Sequence, residues 1–169
     1  MPPFQFTPLI GLQRRLLDNF YKQHGTRMRA AADGQLWVAR AQAIIAGLSL
    51  TPVAQGHWLT GLLVDPQWRG RGVAGQLIDA ALAQTGGPTW LFCHPDLLPF
   101  YLRLGFSPCQ SLPEALAMRL ARYQRSKNLL AMVGATAAAP VAAGLIGSML
   151  KTVPGVGRAG GGLVQGVAQ

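Results

Sequence analysis

The stretch LLVDPQWRGRGVAG, residues 62–75, decides how this sequence is interpreted. An apolar run ends at Val64, a basic and glycine-rich loop follows, and a second apolar segment begins at Val73. This order predicts a strand, a loop and the first turn of a helix. The leading N–H groups of a helix have no partner within it, and together with the helix dipole they attract anions. The stretch therefore predicts an anion-binding loop between a strand and a helix.

The loop contains the residue types that a phosphate group requires. Gly70 and Gly72 lack a Cβ, so the backbone can approach a ligand closely or adopt a positive φ angle. Arg69 and Arg71 supply positive charge and guanidinium donors. A plain tight turn is the alternative explanation of the glycines. A nucleotide-binding P-loop is excluded because no Gly-Lys-Ser/Thr follows, and the spacing is a poor match to a dinucleotide-binding fingerprint.

Composition narrows the class of protein further. Half of the 169 residues are hydrophobic and only 12% are charged, which excludes a charge-rich disordered chain and a coiled coil. Fifteen Lys and Arg against six acidic residues give a net charge of +9, which favours anionic partners such as phosphorylated cofactors or acidic lipids, unless the charge only serves solubility. Basic and aromatic residues are not interleaved, so nucleic acid is not the favoured partner.

Cysteine and histidine usage points away from metals and disulfides. Cys93 and Cys109 are the two cysteines, and neither a Cys-x-x-Cys nor a His-Glu-x-x-His motif occurs, so we expect no disulfide framework and no metal site. The first twenty residues lack the basic and apolar regions of a secretory signal. We therefore expect a cytoplasmic protein.

The apolar periodicity predicts mixed α/β structure around one sheet. Helices are expected over 8–23, 73–83 and 99–104, and strands over 4–6, 36–40, 43–48, 58–64 and 89–93, with a final strand pair formed by a strand starting at Phe106 and by residues 115–121.

Two motifs resemble those of the GNAT (Gcn5-related) N-acetyltransferase family. RGRGVA, residues 69–74, is similar to the family signature Gln/Arg-x-x-Gly-x-Gly/Ala, and PFYLRLGF, residues 99–106, looks like the Phe-Tyr-x-x-x-Gly-Phe element after the fifth strand. The resemblance covers residues 3–122. It implies a mostly antiparallel central sheet flanked by helices, and transfer of an acetyl group from acetyl-CoA to an amine. The family's second helix before strand two is absent here or reduced to 26–32, so the acceptor stays open.

The resemblance also implies a binding site for acetyl-CoA. The backbone of Leu62, Leu63 and Val64 would hydrogen-bond the pantetheine arm in a gap between the strands 58–64 and 89–93. The pyrophosphate would lie on the loop and the start of the helix, formed by Arg69, Gly70, Arg71, Gly72, Val73, Ala74 and Gly75.

Tyr101 matches the family tyrosine that protonates the departing thiolate. A phenol with a pKa near 10 gives its proton uphill to a thiolate near 8.5, so Tyr101 could instead stabilise the developing charge as a donor. Packing under the loop is its purely structural alternative.

The general base is open. Many family members have Glu or His at the positions of Trp58 and Thr60, where Thr60 could only orient a water. His94 lies just past a strand, near the mouth of the gap, and is preferred over His57, which alternation points to the opposite face. Loss of the amine proton to water is the default.

A composition break divides the chain into a domain, 1–125, and an Ala/Gly-rich tail, 126–169. Residues 128–150 carry no charge and predict a helix over 129–150, followed by a flexible end. A loosely ordered or helical appendage, a membrane-surface or tail anchor, and a partner-docking helix are the alternatives. The tail or an exposed sheet edge could also support a homodimer.

Three functions follow from these observations. The first is an N-acetyltransferase acting by direct attack in a ternary complex. The second is an acetyl-CoA-binding module with weak or lost catalysis, since no base is evident on the fourth strand. The third is a membrane-associated or interaction protein held by its tail.

Overall fold

The computed structural model describes residues 4–134, which alternate strands and helices around one sheet. The strands are β1 (Gln5–Leu9), β2 (Gln35–Arg40), β3 (Ile44–Val53), β4 (Gly56–Val64), β5 (Thr89–Cys93), β6 (Phe106–Pro108) and β7 (Leu130–Gly134). The α-helices are α1 (Arg14–Gln23), α2 (Val73–Leu82), α3 (Leu98–Arg103) and α4 (Glu114–Tyr123), and 3-10 turns cover Gly11–Gln13, Pro66–Trp68 and Pro95–Leu97.

The sheet has the strand order β1-β2-β3-β4-β5-β7-β6. Every neighbouring pair is antiparallel except β4 and β5, which run parallel. The mixed, mostly antiparallel sheet flanked by helices confirms the expected fold class. The parallel pair is formed at the start of β4, and the predicted anion-binding loop leaves the other end of the same strand, after Val64.

Helices cover both faces of the sheet. Leu77 of α2 and Phe100 of α3 pack with Leu59 in a buried cluster on one face. On the other face α1 buries Leu17, and α4 buries Leu116 against the β4 and β5 aromatic side chains. Because strand residues alternate between faces, Leu59 and its neighbours Trp58 and Thr60 on β4 face opposite sides.

The first strand and helix begin and end elsewhere than predicted. Residues 8–23 do not form one helix, because Pro8 lies inside β1 and α1 begins only at Arg14. β1 is an edge strand paired with β2 alone, so a proline without an N–H is tolerated there. α1 ends at Gln23 and is followed by His24 and Gly25. Gly25 has a φ angle of +68°, which agrees with the prediction that this glycine ends the helix.

The prediction of a strand over 115–121 is wrong, because these residues belong to α4. Pro113 precedes the helix and Glu114 occupies its first turn, where a negative charge favours the helix dipole. Leu116, Leu120 and Tyr123 recur at helical spacing and pack toward the sheet.

The strand that completes the sheet comes from the segment predicted to start a helix at 129. Residues 130–134 form β7, which pairs with β5 on one side and β6 on the other. The sheet therefore extends past residue 125, and a chain ending there would lack β7. The rest of the proposed helix, and the remainder of the tail, lie outside the described residues. Within residues 4–134, no helix is long and apolar enough to cross a membrane.

An irregular segment replaces a helix between α1 and β2. Side chains fix its course: Asp18 accepts from the Ala30 N–H at 2.8 Å, Ser49 accepts from the Ala31 N–H at 3.2 Å, and Arg14 donates to the Ala31 and Gly34 carbonyls. The expected absence or reduction of the helix at 26–32 agrees with this course. The segment forms one wall of a cavity described below.

Candidate active site

β4 and β5 separate soon after they meet. Their parallel pairing is limited to His57 with Thr89 and Trp58 with Trp90. Beyond Trp58 no backbone pairing joins the two strands, although β4 continues to Val64 and β5 to Cys93. The expected gap between these strands is therefore present, and it exposes backbone groups that could bind an extended ligand as an added strand.

A bulge in β4 helps to open the gap. The register with β3 shifts between the pairs Ser49–Thr60 and Gly47–Leu63, which places an extra residue in β4. Gly61 lies in this bulge with φ at +66°, a conformation that favours glycine. The buried Tyr21 hydroxyl of α1 donates to the Gly61 carbonyl at 2.6 Å. The bulge is thereby held by a side chain from the helix above it.

The bulge also determines which amides face the gap. The Asp65 N–H donates to the Ile45 carbonyl at 2.7 Å, so by antiparallel alternation the backbone of Leu63 also faces β3. The amides of Leu62 and Val64 then face β5 and the gap. Of the three residues expected to bind pantetheine, Leu62 and Val64 present their backbone to the gap, and Leu63 packs its side chain against α1.

Two hydrogen bonds hold the loop after β4 in place. Asp65 accepts from the Gln67 N–H at 2.9 Å, and the Arg69 Nε donates to the Val64 carbonyl at 3.0 Å. Gly70 and Gly72 have φ angles of +78° and +76°, and Gly72 is the residue that caps the start of α2. Both glycines thus have a conformation that other residues rarely adopt, which explains why the loop requires them.

A cavity of about 250 Å³ lies over the first turn of α2. A Cβ added at Gly72 would meet only the Gln76 amide at 3.5 Å, so the space beside this glycine is open. Gly75 is required for close packing instead, because a Cβ there would come within 2.8 Å of Leu104, the residue directly after α3. The cavity is lined by Val64, Trp68, Arg69, Gly70, Gly72, Val73, Ala74, Gly75, Phe100, Arg103 and Leu104.

Arginines give the cavity its charge. Burial lowers the pKa of Arg69, which Asp65 partly offsets, and a guanidinium remains charged at neutral pH. The Arg71 guanidinium lies 4.9 Å from the centre of the Trp68 ring. Arg103 of α3 also lines the cavity, which the sequence analysis did not identify, because only folding brings α3 beside the loop. Free helical N–H groups with nearby guanidinium groups suit a diphosphate.

Tyr101 lies buried on α3, facing the same side of the sheet as α2. Its ring packs edge-on against Phe100 and Phe106, with centroids 5.1 and 5.8 Å away. Burial, and to a smaller degree the neighbouring Cys93, raises the pKa of the Tyr101 phenol well above its ordinary value. Tyr101 is therefore a neutral donor at physiological pH. Among the described residues no hydrogen bond engages its hydroxyl, in contrast to that of Tyr21.

The two histidines considered as bases lie on different parts of the sheet, with His94 directly after β5 and His57 near the start of β4. His94 is exposed, and its Nδ1 accepts from the Asp96 N–H at 3.1 Å at the start of a 3-10 turn. His57 lies on the same strand as Trp58 but on the opposite face, as alternation predicted, and its Nδ1 is buried without a partner. Within residues 4–134, neither histidine lines the cavity over α2 or the cavity beside α4.

A second cavity, of about 740 Å³, lies on the α1 and α4 side of the sheet. Thr60 and Trp58 of β4 form part of its floor, and residues 31–33 of the irregular segment form one wall. α4 forms another wall. Thr60 is thus brought to a cavity on the face opposite the helix α2. The two cavities lie on opposite faces of the sheet, and β4 lines both of them, with Trp58 and Thr60 in the larger and Val64 in the smaller.

This arrangement can join two ligands across a sheet. An anionic group fits the loop at the start of α2, an extended arm can follow the free edge of β4, and a second molecule can enter from the α4 side. Tyr101 supplies a neutral O–H donor on the α2 side. Such a geometry suits group transfer between two bound molecules without a covalent enzyme intermediate.

Comparison with known proteins agrees with the sequence resemblance. Residues 32–108 match the family model described as an acetyltransferase (GNAT) domain. No match was found among curated proteins.

Solved structures share the fold. Escherichia coli ElaA superposes with a TM-score of 0.56 at 16% identity, covering 78% of this chain and 99% of that one. Tetrahymena GCN5 gives 0.58 at 12% identity, covering 75% and 94%. N-acetylglutamate synthase from Neisseria gonorrhoeae, solved with coenzyme A and N-acetyl-glutamate, gives 0.58 at 12% identity, covering 79% of this chain and 35% of that one.

Proposed function

Because this chain carries a GNAT acetyltransferase domain, we propose that it transfers an acetyl group from acetyl-CoA to a primary amine by direct attack in a ternary complex. The observation that carries the proposal is the separation of β4 from β5, directly before an arginine- and glycine-rich loop that opens a helix. Only a ligand with both an extended amide-containing arm and a diphosphate uses both features, and acetyl-CoA has both.

Three parts of acetyl-CoA have a matching group in the chain. The amides of Leu62 and Val64 would pair with the pantetheine arm. The N–H groups of 72–75, with Arg69, Arg71 and Arg103 nearby, would bind the pyrophosphate. The thioester would lie in the gap, on the side of Tyr101.

The reaction then needs few protein groups. The neutral amine attacks the thioester carbonyl, which forms the C–N bond and gives a tetrahedral intermediate. Collapse of the intermediate breaks the C–S bond and releases the CoA thiolate. Tyr101 would donate a hydrogen bond to this sulfur as charge develops and would keep its own proton, because its raised pKa makes full transfer to the thiolate unfavourable. The amine proton would leave to water that Thr60 could orient, because His57 faces the other side and His94 caps a turn.

The lack of a carboxylate or imidazole at Thr60 favours a second candidate, a domain that binds acetyl-CoA but transfers its acetyl group poorly. Turnover separates the two. Release of CoA thiol in the presence of amines would support the enzyme, whereas binding of acetyl-CoA without any transfer would support the binding module.

Binding is the first measurement. We expect acetyl-CoA and CoA to raise the thermal stability of the full chain, by about 2.7 kcal/mol at a hundredfold excess over Kd. ATP tests specificity, because it shares the adenine and phosphates of CoA but lacks the pantetheine arm. A shift with neither acetyl-CoA nor CoA would overturn the proposal.

A further inference from the structure

The acceptor cavity on the α4 side carries two arginines on one wall. Arg119 and Arg122 are three residues apart on α4, so both lie on the part of the helix that faces the cavity. The Arg119 guanidinium lies 4.7 Å from the centre of the Trp58 ring, and Trp58 is two residues from Thr60 on β4. The Arg122 guanidinium lies 5.8 Å from the Tyr123 ring. Both charges thus border the side of the sheet from which an acceptor would enter.

These arginines have no carboxylate partner within the described residues. The two close acid–base pairs found there join His24 with Asp65 and His94 with Asp96. A guanidinium stacked on an aromatic ring keeps the N–H groups along its edge available for an in-plane anion. Stacking also restricts the side chain, which lowers the entropy cost of binding a ligand. Arg119, which is only partly exposed, is therefore oriented and still free to bind an anion.

Charge along the cavity favours a negatively charged ligand. Its lining contains one acidic residue, Asp33, and this carboxylate lies on the irregular segment rather than on α4. Two arginines against one aspartate leave a net positive charge around the 740 Å³ space. An amine without an anionic group, which is a cation at neutral pH, would gain nothing from that field, whereas an amine with a distant anionic group would be attracted and oriented by it.

We propose that the acceptor is a primary amine whose other end carries a carboxylate or phosphate, and that Arg119 and Arg122 bind this anionic end while the amine points to the gap at Thr60. The proposal rests on the proposed acetyltransferase function and adds the substrate class. In this assignment Arg119 and Arg122 determine specificity, and Tyr101 and the glycine-rich loop serve acetyl-CoA alone.

Matched pairs of amines test the proposal with the full chain and acetyl-CoA. γ-Aminobutyrate is compared with n-butylamine for the carboxylate, phosphoethanolamine with ethanolamine for the phosphate, and putrescine represents an amine with a second cationic group. We expect kcat/KM for at least one member that carries an anionic group to exceed that of its partner without one by about tenfold or more, the size of a charged hydrogen bond. The better of the two anionic members identifies the group.

Three variants locate the effect. In R119Q/R122Q we expect the ratio of kcat/KM between the amine that carries an anionic group and its partner without one to fall about tenfold or more, while the KM for acetyl-CoA stays unchanged. R119K, which keeps the charge, should retain part of the preference. R125Q is the matched control, because Arg125 lies just beyond the same helix and does not line this cavity. The proposal would be overturned by a preference for amines that lack an anionic group. It would also be overturned if R119Q/R122Q kept the preference for amines that carry one.

If no amine is acetylated, binding of the amines to the protein tests the proposal. Calorimetry of the same amines with the CoA-loaded protein should then show binding of an anionic member that R119Q/R122Q abolishes, and binding of none, or equal binding by both proteins, would overturn the proposal. A failure of the proposed function is distinct, since it would appear as no stabilisation by acetyl-CoA or CoA.

Discussion

The phenol of Tyr21 on α1 donates a 2.6 Å hydrogen bond to the carbonyl of Gly61, the residue with positive φ in the bulge of β4. Both groups are buried. The bond connects a helix on one face of the sheet with the point where β4 turns its edge toward the gap. The shape of the gap therefore depends on a helix residue that lines neither of the two cavities.

Replacing Tyr21 with Phe should leave the Gly61 carbonyl buried without a donor. We expect the free energy of unfolding to fall by about 1–3 kcal/mol. Chemical denaturation measures this loss. Replacing Gly61 with Ala should also destabilise, because φ is +66° and the new Cβ would lie 2.5 Å from the Tyr21 Oη. If that clash matters, G61A costs less in the Y21F background, and strictly additive losses in a double-mutant cycle would contradict the contact.

The Tyr101→Phe variant should keep its fold and acetyl-CoA affinity but lose turnover. Its hydroxyl makes no hydrogen bond among the described residues, so its removal leaves the packing against Phe100 and Phe106 intact. If it stabilises the leaving thiolate, kcat should drop by about 100-fold with little change in the KM for acetyl-CoA. Steady-state kinetics with one acetylated amine checks this, and equal kcat values would remove Tyr101 from the mechanism.

The Gly72→Glu variant should bind CoA about tenfold or more weakly, because a side chain and a negative charge would enter the space beside the start of α2. Calorimetry with CoA measures the change. Gly86→Glu is the matched control, since Gly86 is exposed with open space around its Cα. The loop would not be the phosphate site if G72E and G86E bound CoA equally well.

Alkaline pH should weaken the fold through Cys93. Burial raises the pKa of the Cys93 thiol to about 12, against about 8.5 in an unfolded chain. The unfolded state therefore loses this proton first, so stability is fully present below about pH 8.5 and declines by up to about 1.4 kcal/mol per pH unit above it. The buried tyrosines, whose pKa values are also raised, add to the decline above about pH 10.

Denaturation at several pH values compares Cys93→Ala with Cys109→Ala. Between about pH 8.5 and 10 we expect the decline to be shallower in C93A than in the wild type. The pKa of Cys109 is raised by burial, partly offset by its bond to Ser111, so C109A should change the slope less. An identical slope in C93A and the wild type would show that Cys93 ionises alike in both states.

The sequence predicted the central features well where the signal was local. Alternating and continuous apolar runs predicted β2 to β5. The glycines before and after α2 predicted that helix and the loop that precedes it. These segments can be predicted without knowing the rest of the fold, because the spacing of apolar residues in a buried strand or an amphipathic helix is visible within about ten residues.

The misplaced elements depend on distant partners. The apolar run LLAMVG at 129–134 fits a helix or a strand equally, and only the free edges of β5 and β6 make it β7. Pro8 is allowed in β1 because one side of that strand is unpaired. For the same reason Arg103, Arg119 and Arg122 were not found as site residues: nothing along the chain places α3 beside the loop or α4 beside β4.

The position of β7 has a consequence during protein synthesis. Leu91 of β5 pairs with Met132, 41 residues later in the chain, and β6 is made before β7 as well. Once Pro108 has emerged from the ribosome, both strands that flank the position of β7 are outside, but residues 109–134 need about one to five seconds more to emerge. For that interval two unpaired strand edges face solvent or another nascent chain. Slower translation over 109–134 should therefore lower the soluble yield, and faster translation should raise it.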